Sequence, residues 1–118
     1  MNKRLLKILL ILWLGIIWFV SSLPGDSLPK LETINIDKFA HVFVYFVLSI
    51  LMLVNYRKGN FGNMSIREVF LAAVILASLD ESHQVFIINR SVSVFDLLAN
   101  LAGIFTGYIV SISKSKIK

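Results

Sequence analysis

Residues 39–56 read FAHVFVYFVLSILMLVNY, an apolar run of eighteen residues without an Asp, Glu, Lys or Arg, set between Asp37-Lys38 and Arg57-Lys58. A helix that crosses a bilayer needs about 20 mostly apolar residues, within a range of roughly 17–25. The run has that length and character. Three further segments match it: residues 5–22, 68–88 and 92–113. The third span, 68–88, is interrupted by Asp80-Glu81-Ser82-His83-Gln84 and is the least apolar of the four. The expected fold is all-α: a polytopic membrane protein with four transmembrane helices in a compact bundle, a single domain over residues 1–118.

Composition agrees. Hydrophobic residues make up 57% of the chain and charged residues 16%, with a mean hydropathy of +0.79. Soluble domains carry about 45–50% apolar and about 25% charged residues, and one soluble core of this size has no room for the excess. There is no cysteine, which excludes disulfides, thiolate metal sites and cysteine nucleophiles. The net charge of +5 does not point to nucleic acid, because the basic residues stand in short clusters between apolar runs, where they act as topology signals.

Lys3, Arg4 and Lys7 precede the first run as they would in a secretory signal. No small-x-small cleavage site follows, and three more spans do, so the first helix is expected to be retained. With four spans, Lys3, Arg4, Lys7, Arg57, Lys58, Arg67, Lys114, Lys116 and Lys118 fall on one side of the membrane, and Lys30, Lys38 and Arg90 on the other. The bias predicts a multi-pass protein of the cell membrane with both termini cytoplasmic. Residues 23–38 and 88–91 are then outer connections, and residues 57–67 an inner one.

The acids are distributed asymmetrically. Asp26, Glu32, Asp37, Asp80, Glu81 and Asp96 lie in outer loops or outer halves of spans, and only Glu68 lies toward the inside. Each charge within a membrane costs at least about 2.5–3.5 kcal/mol on insertion scales. At a helical rise of about 1.5 Å per residue, Asp80 and Asn100 are expected about 12 Å deep, and His41 and Tyr45 roughly 5–10 Å. Helical spacing places Asp37, His41 and Tyr45 along one stripe of the second span. It places Asp80, His83 and Gln84 on one face of the third, with Glu81 beside them, and Ser93, Asp96, Asn100, Gly103 and Gly107 along the fourth. Three polar stripes predict one outward-facing pocket, lined by Lys38, His41, Tyr45, Asp80, Glu81, His83, Gln84, Arg90, Ser93, Asp96 and Asn100. Gly103-x-x-x-Gly107 admits close helix approach, either inside the monomer or between two copies.

These blocks resemble the VanZ-like family of bacterial membrane proteins. The residues that carry the likeness are Ser21-Ser22-x-Pro24-Gly25, Asp37-Lys38-x-x-His41-x-x-x-Tyr45, Asp80-Glu81-x-His83-Gln84 and Arg90-Ser91-x-Ser93-x-x-Asp96-x-x-x-Asn100-x-x-Gly103. They extend over roughly residues 15–110. Relatives often have a Pro-Gly-like turn before the arginine, where this chain has Ile88-Asn89. The resemblance implies a four-helix envelope protein of a family named for resistance to the glycopeptide antibiotic teicoplanin, and it implies no settled chemistry.

Two functional readings follow. In the first, Lys38 and Arg90 at the outer interface bind the phosphate of a phosphorylated or peptidoglycan-related lipid, Arg as a fork and Lys as a point charge. The partners are then membrane lipids and a lipid-linked cell-wall precursor. The alternative is an intramembrane hydrolase or transferase acting on a lipid phosphate, with Asp80, Glu81 and His83 as candidate acid/base groups. A mixed site of His41, His83 and a carboxylate resembles a three-ligand zinc site, but no HExxH-type motif is present, and neither a metal nor another cofactor is expected. A proton-coupled transporter would need a relay across the bilayer, whereas these charges occupy one half of it.

Overall fold

The first helix begins where Asn2 caps it. The Asn2 side-chain oxygen accepts from the backbone N–H groups of Arg4 at 2.6 Å and Leu5 at 3.3 Å, satisfying donors that a helix start leaves without partners. Helix α1 runs Lys3–Ser21, α2 Ile34–Arg57, α3 Ile66–Gln84 and α4 Val94–Ile117. The structure is a computed structural model that describes residues 2–22, 34–87 and 94–117, with side chains over residues 2–22, 39–87 and 94–113. Among the described residues there is no strand.

The helices alternate in direction and pack as a compact bundle, with α2 against α4 as its most extensive contact. The end that holds the α1 N-terminus also holds the α2 C-terminus. There the buried Asn55 side chain donates to the Leu6 carbonyl at 3.0 Å, and Asn60 donates to the Asn55 side-chain oxygen at 2.6 Å and to the Lys3 carbonyl at 3.1 Å. Arg57 donates to the Ser111 carbonyl and holds the end of α4 at the same place. The α2–α3 connection turns through Gly59 and Gly62, both at positive φ (81° and 62°), a region that costs glycine nothing. Helix α3 then starts on a capping box: Ser65 Oγ accepts from the Glu68 N–H and Glu68 Oε1 from the Ser65 N–H.

Leu48, Val69, Ala77 and Ile104 form the closed centre of the core, with Tyr45 and Leu53 beside them. Large apolar side chains also cover the outside: Ile11, Leu12, Ile16 and Phe19 on α1, Phe43 on α2, and Leu98, Phe105 and Ile109 on α4 are all exposed. Polar groups inside and apolar groups outside is the arrangement that suits lipid as solvent. Among the described residues, three helices are long and apolar enough to cross a membrane: Lys3–Ser21, Phe39–Arg57 and Val94–Ser113.

Helix α3 is long enough but carries Arg67, Glu68, Asp80 and Glu81. Its two faces separate these properties. Leu71, Ile75 and Leu79, spaced i, i+4, i+8, point outward, while Ala73, Ala77, Asp80, Glu81 and Gln84 are buried. The helix ends at Gln84, because the N–H groups of Phe86 and Ile87 bond to the carbonyls of His83 and Gln84, three residues back. Asp80 therefore sits four residues, or about 6 Å, from the helix end, closer to it than the sequence-based expectation of about 12 Å.

Gly103 and Gly107 face α2. A Cβ on Gly103 would collide with the Val42 carbonyl oxygen and lie 2.9 Å from the Phe46 nitrogen; on Gly107 it would lie 2.8 Å from the Ser49 Cβ. The small-residue motif thus closes the α2–α4 contact within one chain. Ser49 Oγ donates to the Ile104 carbonyl at 3.0 Å through the same gap.

Candidate functional site

The polar stripes of α2, α3 and α4 meet at the end of the bundle away from the α1 N-terminus. Asn100 is fully buried and is the hinge of the cluster. Its amide nitrogen donates to Glu81 Oε1 at 3.1 Å, and its Oδ1 lies 2.9 Å from His41 Nδ1. A carboxylate can only accept, so the Asn100 NH2 belongs on the Glu81 side and its oxygen on the His41 side. His41 Nδ1 then carries a hydrogen, and Nε2 is the ring nitrogen turned toward Asp96, with Oδ1 at 3.8 Å. Glu81 Oε1 also lies 4.0 Å from His41 Nδ1. Beside this group the Tyr45 hydroxyl donates to Asp80 Oδ2 at 2.6 Å.

The environment is buried and rich in acceptors. Asp80, Glu81 and Asp96 are each 5% exposed. Asp80 Oδ1 and Glu81 Oε2 are buried without a hydrogen-bond partner among the described residues. Buried polar atoms are normally satisfied, and an orphan in a native structure asks for an explanation. Two carboxylates beside one imidazole, Glu81 and Asp96 at His41, with Asp80 held by Tyr45, make a site for a cation or for several hydroxyl donors.

His41, Tyr45, Asp80, Glu81, Asp96 and Asn100 are thus brought together as their spacing suggests. His83 and Gln84 make their contacts elsewhere. His83 Nε2 lies 2.8 Å from Ser22 Oγ, and its ring stacks on Trp18 with centroids 4.2 Å apart. Gln84 donates to Ser21 Oγ at 3.1 Å. The helical repeat keeps these residues within one turn on one side of α3; the division arises because α3 also packs against α1, whose Trp18, Ser21 and Ser22 take up His83 and Gln84. Lys38, Arg90 and Ser93 lie outside the residues whose side chains are described.

Ser21, Ser22 and Trp18 have no role in the sequence reading of the pocket. The signal for the serines was their position, a polar pair closing the first apolar run at the level of the cluster. At the other end, a groove lined by Asn2, Lys3, Arg4, Lys7 and Asn60 collects basic groups.

The model of one family, described as VanZ/LLP1, matches residues 6–115, nearly the whole chain. The chain belongs to the VanZ/LLP1 family. No curated protein and no solved structure matches it. The matched span includes every described residue of the VanZ/LLP1 chain's polar cluster, from His41 on α2 to Asn100 on α4. Together with the three long apolar helices, the family places the chain among VanZ-like membrane proteins.

Proposed function

We propose that this VanZ/LLP1 chain binds a phosphorylated or peptidoglycan-related lipid in an outward-facing site, with the α2–α3–α4 cluster as its floor and Lys38 and Arg90 at its mouth. The burial of Asp80, Glu81 and Asp96 together at one end of the bundle carries this reading. Interhelical hydrogen bonds in membranes contribute about 0.6 kcal/mol on average, too little to offset several intramembrane charges at about 2.5–3.5 kcal/mol each. Such a group is retained for a ligand. The excess of Lys and Arg at the other end of the helices supports the outward direction and cytoplasmic termini.

At the outer interface Arg90 would take a lipid phosphate through two parallel N–H bonds and Lys38 would add charge. The acceptors below would take the hydroxyls of a sugar headgroup. Native mass spectrometry with an added polyprenyl phosphate tests this. The wild type retains the lipid, and Arg90→Ala, still folded, loses it; equal retention by both would reject the site. If such a ligand is a cell-wall precursor, deletion of the gene raises teicoplanin sensitivity and expression restores resistance.

A hydrolase or transferase is the second reading. The observation that favours it is the orphaned Glu81 Oε2, an oxygen free to exchange a proton with a substrate. Turnover of a lipid phosphate that is lost in Glu81→Gln while the lipid still binds would decide for catalysis.

A further inference from the structure

We propose that His41, Glu81 and Asp96 bind one first-row divalent cation of the zinc or manganese type, and that Asn100 positions two of the three ligands. One ligand atom from each of the three side chains lies within 4.8 Å of the others. The donors come from α2, α3 and α4, so their spacing is set by helix packing and not by a mobile loop.

The hydrogen bonds fit a metal ligand set. A histidine that binds a metal through one nitrogen generally donates its other N–H to an oxygen acceptor, which fixes tautomer and ring angle. His41 does this through Nδ1 to Asn100 Oδ1 at 2.9 Å, and Nε2 is the nitrogen turned toward Asp96. Its separation from Asp96 Oδ1, 3.8 Å, is long for a direct hydrogen bond. A cation bonded to both at about 2.0–2.2 Å spans it. Asn100 also donates to Glu81 Oε1, so one amide orients both the imidazole and the carboxylate.

A second observation points to a ligand independently. Glu81 is 5% exposed and its Oε2 has no hydrogen-bond partner among the described residues. An ionised carboxylate with an orphaned oxygen is costly inside a protein, and a bound cation removes that cost. The donor set selects the class: one imidazole with two carboxylates suits zinc or manganese, whereas magnesium and calcium take all-oxygen shells. Three protein ligands leave a coordination position open.

The site does not depend on the lipid reading, and the experiment separates the two. Purified full-length protein is stripped with a chelator in detergent, reloaded with Zn2+ or Mn2+, and assayed for metal content. One equivalent is expected in the wild type, and about a hundredfold weaker binding in each of His41→Ala, Glu81→Gln and Asp96→Asn. Asn100→Ala should weaken binding by about 10–100-fold, and Glu68→Gln, at the far end, should bind as the wild type does. Co2+ loading of the wild type should give visible d–d bands that Zn2+ displaces, a readout that stands even where a variant fails to fold. A wild type that takes up neither metal, or folded variants that bind as tightly as it does, would overturn the site. Lipid retention is scored on the same samples, so metal without lipid and lipid without metal each reject a different proposal.

Discussion

The Tyr45 hydroxyl donates to Asp80 Oδ2 at 2.6 Å and joins α2 to α3 in a layer that water does not reach. The other carboxylate oxygen of Asp80 is already without a partner. Tyr45→Phe therefore leaves a buried acid with no donor on either oxygen among the described residues. A stability loss of about 1–3 kcal/mol is expected, measured by unfolding in mixed detergent micelles. Asp80→Asn in the Tyr45→Phe background should cost less than it does alone, since the partner is already gone. Additive losses would mean that the pair is not coupled.

Gly103 supplies a steric test. Because any Cβ there meets the α2 backbone at Val42 and Phe46, Gly103→Ala should cost about 1–3 kcal/mol and Gly103→Leu should prevent assembly. Gly15 has open space around its Cα, so Gly15→Ala should be neutral or stabilise by up to about 1 kcal/mol through helix propensity. Melting temperatures of the purified variants check the contrast.

His83 should act on α1. Removing its ring loses the Trp18 stack and the Ser22 contact but none of the described hydrogen bonds between α2, α3 and α4. His83→Ala is expected to raise amide exchange in residues 18–22 while leaving α4 protected and the proposed metal loading intact. Faster exchange around Asn100 would place His83 in the main cluster instead.

Topology can be read directly, because the chain has no cysteine of its own. A single cysteine at Asn89 should react with a membrane-impermeant maleimide in intact cells, and one at Asn63 only after permeabilisation. The reverse pattern would invert the orientation. Equal reactivity of the two in intact cells would show that α3 does not cross.

The helices are legible in the apolar runs: residues 39–56 contain no Asp, Glu, Lys or Arg, and few alternatives to a membrane helix exist at that length. The limits of α3 are less so. Its polar tail, Asp80 to Gln84, reads as a continuing helix by spacing, and only the tightened turn at Phe86 and Ile87 ends it. Periodicity finds the His41–Tyr45 and Asp96–Asn100 faces because each is one helix read along its own axis. It does not show that His83 and Gln84 turn to α1, since that depends on how far α3 rotates against its neighbours. Nor does it reveal Asn55, fully buried at the far end, where one amide inside an apolar run gives no hint of the Leu6 carbonyl that receives it.

Glu81 takes its hydrogen bond from Asn100, a residue made nineteen positions later in the chain. When α3 leaves the ribosome, its donor is still behind it in the exit tunnel. The acid must then wait in water or at the translocon wall, because entering lipid alone would cost at least about 2.5–3.5 kcal/mol for each charge. Helices α3 and α4 should accordingly enter as a pair, the later one carrying the group that makes the earlier one soluble in lipid. A chain truncated between them would strand α3 at the membrane surface, a natural target for quality-control proteases.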